Sequence, residues 1–153
     1  MIELHTFGPI DLGELNGAGG AVARADLELY GIDHFRPSYT ALVFFNDAAV
    51  TARNASARRR SYAGSFSIFG HAECLGDEGH CAVSAETRRF DTRPSHPLTR
   101  AFKRVVVTAA LARLRSARTL TVTLVVACDP ATDDYEADGP LFDCRGVQLT
   151  TFG

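Results

Sequence analysis

Apolar and polar side chains alternate along most of this chain. Ala23, Ala25, Leu27 and Leu29 fall on one side of a run, and Arg24, Asp26, Glu28 and Tyr30 on the other. A period of two over eight residues is the pattern of a half-buried strand. Tyr39–Phe45 is a denser run of aromatic and β-branched residues, stopped by Asn46-Asp47. Residues 120–127 again set Leu and Val against Thr and Ala. Residues 2–7, 62–69, 102–108 and 141–152 supply four more strand patterns, and Gly64 suits a bulge in one of them. Residues 109–118 break the alternation with a short run of good helix formers. About seven strands and one short helix, without βαβ alternation, predict an all-β fold, an antiparallel β-sandwich or barrel. Its core should hold Leu27, Leu29, Leu42, Phe44, Phe66, Ile68, Val105, Val107, Val122 and Leu124, the apolar halves of the alternating runs.

The stretches between the strands differ in character. Gly13, Gly17, Gly19 and Gly20 around Asn16 read as a loop. That loop has no Lys-Ser/Thr ending and no strand-loop-helix frame, which argues against phosphate binding. Residues 48–60 are an Ala-rich exposed loop ending in Arg58-Arg59-Arg60. Such a triplet can grip an anion, but it is the ordinary composition of a solvated edge. Residues 129–140 form an acidic loop with four Asp and one Glu, without the spacing of an EF-hand. Residues 70–100 hold three of the five His, two of the four Cys and two Pro, with little periodicity. A loop of roughly 30 residues inside a compact domain is usually functional.

Composition narrows the classes. A chain of 153 residues, 46% hydrophobic and 22% charged, can bury a real core and is expected to be a single domain over residues 1–153. Sixteen basic against eighteen acidic residues give a formal charge of −2, which argues against a nucleic-acid surface. Fifteen of the sixteen bases are Arg, which reads first as genome composition. No apolar run approaches the ~18 residues of a membrane span. The opening Met1-Ile2-Glu3-Leu4-His5 does not look like a secretory signal, so a cytoplasmic location is expected. Four Cys are too few for a disulfide scaffold and, in a reducing compartment, suit metal or redox chemistry better. The absence of Trp excludes an immunoglobulin-type Cys…Trp…Cys core, and no Gly-x-Ser-x-Gly elbow surrounds Ser65 or Ser67.

The densest chemistry is the array His71-x2-Cys74-x5-His80-Cys81, packed into eleven residues. Two imidazoles and two sulfurs are the donors that copper, zinc or iron select. Gly70, Gly76 and Gly79 let the segment fold back on itself, and Glu73, Asp77 and Glu78 can accept from imidazole N–H groups. His96, in Ser95-His96-Pro97, and His34, in the turn before Tyr39, can lie at the same end of a sandwich and complete a site. Two plainer readings stand beside this one. Cys74 and Cys81 can close a six-residue loop as a disulfide, and the two His can be ordinary loop residues. Cys128 and Cys144 flank the acidic loop and read as a cross-strand pair or as small buried apolar groups rather than ligands.

With the strands placed, a family resemblance emerges. Tyr62-Ala63-Gly64-Ser65-Phe66, followed by His71, resembles the F-A-G-S-F…P-H segment of the C-terminal domain of plant polyphenol oxidases. The run Tyr39-Thr40-Ala41-Leu42-Val43-Phe44-Phe45-Asn46-Asp47 is similar to that domain's K-F-D-V-Y-I-N-D strand. Residues 103–108, a short helix and residues 120–125 follow the same order, and Gly146-Val147-Gln148-Leu149 resembles its final G-G-I-K-I. The run from Phe66 to Cys81 also resembles an F-x-x-F-G-H-x-x-C…G-H-C element of tyrosinase-like bacterial proteins. The likeness spans roughly residues 22–150. It implies a β-sandwich that shields the active site of a type-3 copper oxidase. From the plant domain only His71 and the strand motifs carry over; the Cys74–Cys81 insertion departs from it. Five His cannot build a six-His dinuclear copper centre, so the chain is not itself expected to be a tyrosinase.

Three functions follow. The first is an accessory metalloprotein, holding copper (zinc as the alternative) and shielding or supplying a copper oxidase. The second is a stand-alone metalloenzyme acting on a small specialised-metabolite substrate through a His/Cys-ligated metal. The third is an interaction module in which Cys74 and Cys81 are cross-linked. For the first, Phe35, Phe69 and Phe90 are candidates for an aromatic plug facing the oxidase, or alternatively for caps of the core.

Overall fold

The computed structural model describes residues 1–13, 22–71, 99–128 and 139–153. Among these residues, seven strands and one short helix run in the order β1 (Ile2–Asp11), β2 (Arg24–Ile32), β3 (Tyr39–Phe45), β4 (Tyr62–Ile68), β5 (Ala101–Val106), α1 (Thr108–Ala112), β6 (Thr119–Cys128) and β7 (Gly146–Phe152). They form two antiparallel sheets, ordered β1-β6-β3-β4 and β5-β2-β7. The all-β sandwich expected from the alternation is the architecture observed. No helix among the described residues is long and apolar enough to cross a membrane.

The strand patterns convert directly into a core between the sheets. In β2, Ala25, Leu27 and Leu29 are fully buried and face Val122, Leu124 and Val126 of β6 and Ala41, Val43 and Phe45 of β3 across one cluster. Non-directional burial of this apolar surface is the main force joining the two layers. Gly64 sits at the irregularity where the register between β3 and β4 shifts, with a φ of 151° that side chains rarely adopt.

Three details differ from the pattern. In β3 the inward face is Tyr39, Ala41, Val43 and Phe45, so Leu42 is only half-buried on the outer face. Phe44 is fully buried, yet it belongs with Val50 and Val125 to a second cluster on that outer face. An apolar strand carries no alternation that says which side is inside, and the 48–60 loop covers the other side. The last strand begins at Gly146 rather than near residue 141, because Leu141 and Phe142 drop into the core as a plug. Phe142 meets His5, Phe7, Tyr39 and Phe66 edge-on or tilted, at centroid distances of 5.1 to 6.4 Å. The helix has five residues, and residues 113–116 continue only as turns.

Candidate functional site

Strand direction sorts the connections into two ends. Tyr39 pairs with Cys128 and Ile68, Ile32 with Ala101, and Tyr30 with Gly146. The β2–β3 loop, the exit of β4 and the entry to β7 therefore share one end. Backbone bonds tie them: Asp33 N to Asp143 O at 2.9 Å, Arg145 N to Tyr30 O at 3.0 Å, and His71 N to His34 O at 2.8 Å. Arg100 clamps the same end, donating to Gly31 O at 2.9 Å and to the Asp143 carboxylate at 2.7 Å.

His34 and His71 come together here, from positions 37 residues apart in the chain. Gly70 makes the approach possible. A Cβ on Gly70 would lie 1.9 Å from Arg36 O, so only a hydrogen fits between the two chain segments. The Gly70 N–H then bonds Ser38 Oγ at 3.0 Å, and the next residue delivers its imidazole to His34. The two rings are 5.1 Å apart between centroids and inclined at 75°. His34 Nε2 and His71 Nδ1 are buried and have no hydrogen-bond partner among the described residues. Buried polar atoms normally find a partner, so each of these touching rings leaves one nitrogen that calls for one.

The pair is framed by aromatic rings. Phe35 lies 5.6 Å from His34 and Phe69 5.5 Å from His71, edge-on in both cases. Phe69 is 79% exposed and Phe35 45%, so neither caps the core. Asp33 completes the loop, accepting from Phe35 N and lying 3.7 Å from Arg36. Just inside, the Tyr39 hydroxyl is buried without a hydrogen-bond partner among the described residues, and burial, followed by Cys144 and Asp33, pushes its ionisation far upward. Cys144 is half-buried; burial raises its thiol too, against a long contact to Gly146 O at 3.8 Å.

Of the six residues singled out for a metal, His34 and His71 are thus brought together. Cys74, His80, Cys81 and His96 lie outside the described residues, as does Phe90. Among the described residues no group of three or more His, Cys, Asp or Glu forms a ligand set. Cys128 and Cys144 are not joined in a cross-strand disulfide, and both pack against the core as small apolar groups. His5 is satisfied elsewhere, 3.0 Å from Glu3 and packed on Phe142.

The sequence missed one buried carboxylate. Asp26 belongs to the polar half of β2, yet it is fully buried. Arg24 at 2.8 Å and Arg104 at 3.6 Å lie over it, and Glu28 and Thr150 continue the polar ladder. Long Arg side chains spread over a sheet face cover what strand position alone would leave open.

No family model and no curated protein matches the chain. Solved structures do. A recombinantly expressed latent aurone synthase (polyphenol oxidase), co-crystallized with hexatungstotellurate(VI), superposes with a TM-score of 0.49 at 15% identity, over 99% of this chain and 24% of that one. This chain is similar to a quarter-length part of a polyphenol oxidase. Latent aurone synthase from natural source gives a TM-score of 0.48, also at 15% identity, over 98% of this chain and 24% of that chain. At that identity the likeness assigns no residue here a role.

Proposed function

We propose that the protein binds a transition metal, copper before zinc, through His34 and His71, and serves as an accessory or shielding partner of a type-3 copper oxidase. The observation that carries the metal reading is the pair of touching imidazoles, each with a buried nitrogen that has no hydrogen-bond partner among the described residues. Neutral imidazole is a donor that both ions accept, so the chemistry of the pair fits the group. Two ligands are fewer than a zinc site requires, and Cys74, His80, Cys81 and His96, all within 25 residues downstream of His71, are the proposed source of the rest. Copper ranks first on the sequence motifs at residues 62–71 alone. The chain's own contribution is to hold the two rings at a fixed angle through the Gly70 contact, beside exposed aromatic surface. Exposed Phe69 and Phe35 are the surface proposed to face the oxidase.

The test is titration of copper(I) and zinc into the reduced apo-protein, with a His34→Ala/His71→Ala variant whose far-UV spectrum matches the parent. One metal per chain, weakened about a hundredfold in the variant, is expected. Equal binding by both proteins would remove the pair from the site. Absence of binding, with Cys74 and Cys81 cross-linked in the protein before reduction, would give the downstream segment to a structural disulfide. For the partner role, a Phe35→Ser/Phe69→Ser variant should lose inhibition of a bacterial tyrosinase that the parent shows; turnover by the isolated protein would favour a stand-alone metalloenzyme instead.

A further inference from the structure

The opposite end of the sandwich carries a different chemistry. The loop after β3 and the turn after α1 meet there. Asn46, at a φ of 49°, donates to Thr119 O and accepts from Thr121 N, and Arg113 donates to Tyr62 O. Residues 46–61 and 109–119 hold seven Arg (Arg53, Arg58, Arg59, Arg60, Arg113, Arg115, Arg118) and a single acid, Asp47. The remaining chain holds nine basic and seventeen acidic residues. A chain-wide preference for Arg does not explain the removal of acids from one end.

Asp47 does not neutralise the patch. It is held by Arg59 at 2.8 Å, by the Ser61 hydroxyl and by the Ala49 N–H, and the Ser61 bond leads the interactions that keep its carboxyl below the ordinary range. Asp11, opposite Thr119 in the sheet, turns its carboxylate back on the Gly13 N–H. Arg58 and Arg60 make no side-chain hydrogen bond or ion pair among the described residues, and both are exposed. Between the two segments lies a cleft of about 440 Å³. Its apolar lining is Phe45, Ala110 and Leu114, and Arg59, Arg60 and Arg113 stand around it.

We infer that this cleft docks an acidic segment of a partner protein, with one apolar side chain seated on Leu114 and Ala110 and flanking carboxylates paired to Arg60, Arg113 and Arg58. Planar guanidinium forks match carboxylates bidentately, and an apolar anchor in a pocket with charged surroundings is the usual form of a recognition hot spot. Exposed groups rim the cleft, which suits a chain segment laid across it better than an enclosed small molecule. A long polyanion such as DNA would run past the patch onto a chain that is acidic elsewhere. This surface lies at the far end from the His pair and does not depend on metal binding.

The probe is a fluorescein-labelled nonapeptide of Glu and Asp with one central Leu, followed by anisotropy against the full protein. Its control carries Ser in place of Leu. Saturable binding that weakens as salt rises is expected, about tenfold weaker for the Ser peptide and about tenfold weaker for an Arg58→Ser/Arg60→Ser variant. Both substitutions fall on exposed side chains, and an unchanged melting temperature confirms the fold. No saturable binding, equal binding of the two peptides, equal binding by parent and variant, or tighter binding of a twelve-base-pair duplex would each overturn the inference.

Discussion

Single side chains near the His end join distant parts of the chain. Glu3 accepts from Leu141 N at 2.7 Å and Phe142 N at 3.2 Å, and it lies 3.0 Å from His5. Burial pushes its carboxyl upward, but the Leu141, His5 and Phe142 bonds together outweigh that and bring it below the ordinary value of 4.5. A carboxyl depressed by folding contributes stability that is full above its unfolded value and fades as pH falls through the folded one. Glu3→Ala should therefore cost about 1–3 kcal/mol near neutrality by orphaning two N–H groups. Its acid-unfolding curve, followed by circular dichroism, should lose part of its slope below pH 4.5; an unchanged curve would show the carboxylate to be idle. Gly70 is the second such residue. Gly70→Ala forces a methyl against the backbone at Arg36 and Pro37 and should cost about 3 kcal/mol. The same variant should bind copper(I) more weakly than the parent, because the His34–His71 contact cannot survive the displacement. These two partnerships are invisible in the sequence: nothing local to Glu3 or Gly70 announces a neighbour 138 or 34 positions away.

At the level of strands and loops, the segment before β7 matters more than its lack of regular structure suggests. Phe142 is 2% exposed and touches rings from β1, β3 and β4. Phe142→Ala should remove about 3–5 kcal/mol, as much as Leu27→Ala at the centre of β2, at about 2–5 kcal/mol. Denaturant titration of both variants checks this; a Phe142 variant within 1 kcal/mol of the parent would make the plug ornamental. The strands themselves were legible. In β2 the alternation picked the buried set Ala25, Leu27 and Leu29 and erred only at Asp26. In β3 it failed at Leu42 and placed Phe44 in the wrong layer, since Leu42-Val43-Phe44-Phe45 is apolar on both faces.

In the molecule as a whole, the two sheets approach along both edges, β4 beside β5 and β1 beside β7. Edge strands that approach a neighbouring sheet are less free to pair with other chains. Gly64 sets one of these seams: a Cβ there would lie 2.6 Å from Val105 Cγ1. Gly64→Val adds that clash to a backbone conformation side chains rarely adopt, so β4 should move off β5. The expected result is a lower melting temperature with concentration-dependent association, measured by light scattering; a monomer as stable as the parent would show the seam to be loose. The molecule is also divided by charge. The Arg-rich end and the His-bearing end lie at opposite poles of the strands, which allows two separate contacts on one small chain.

Period-two alternation and the turn residues between the runs were enough to read seven strands, one short helix and an antiparallel sandwich, because strand formation with one buried face is written every second residue. The candidate ligands could be named from residue type and spacing, since donor chemistry belongs to the side chain. Whether two of them meet could not. The His34–His71 contact depends on antiparallel pairing of β3 with β4 and on a glycine thin enough to let two loops touch. The cover over Asp26, the inward drop of Phe142 and the gathering of Arg59, Arg60 and Arg113 around one cleft have the same origin. Each is a juxtaposition of segments far apart in the chain, fixed by packing rather than by local preference, and packing exists only once the two sheets have closed on each other.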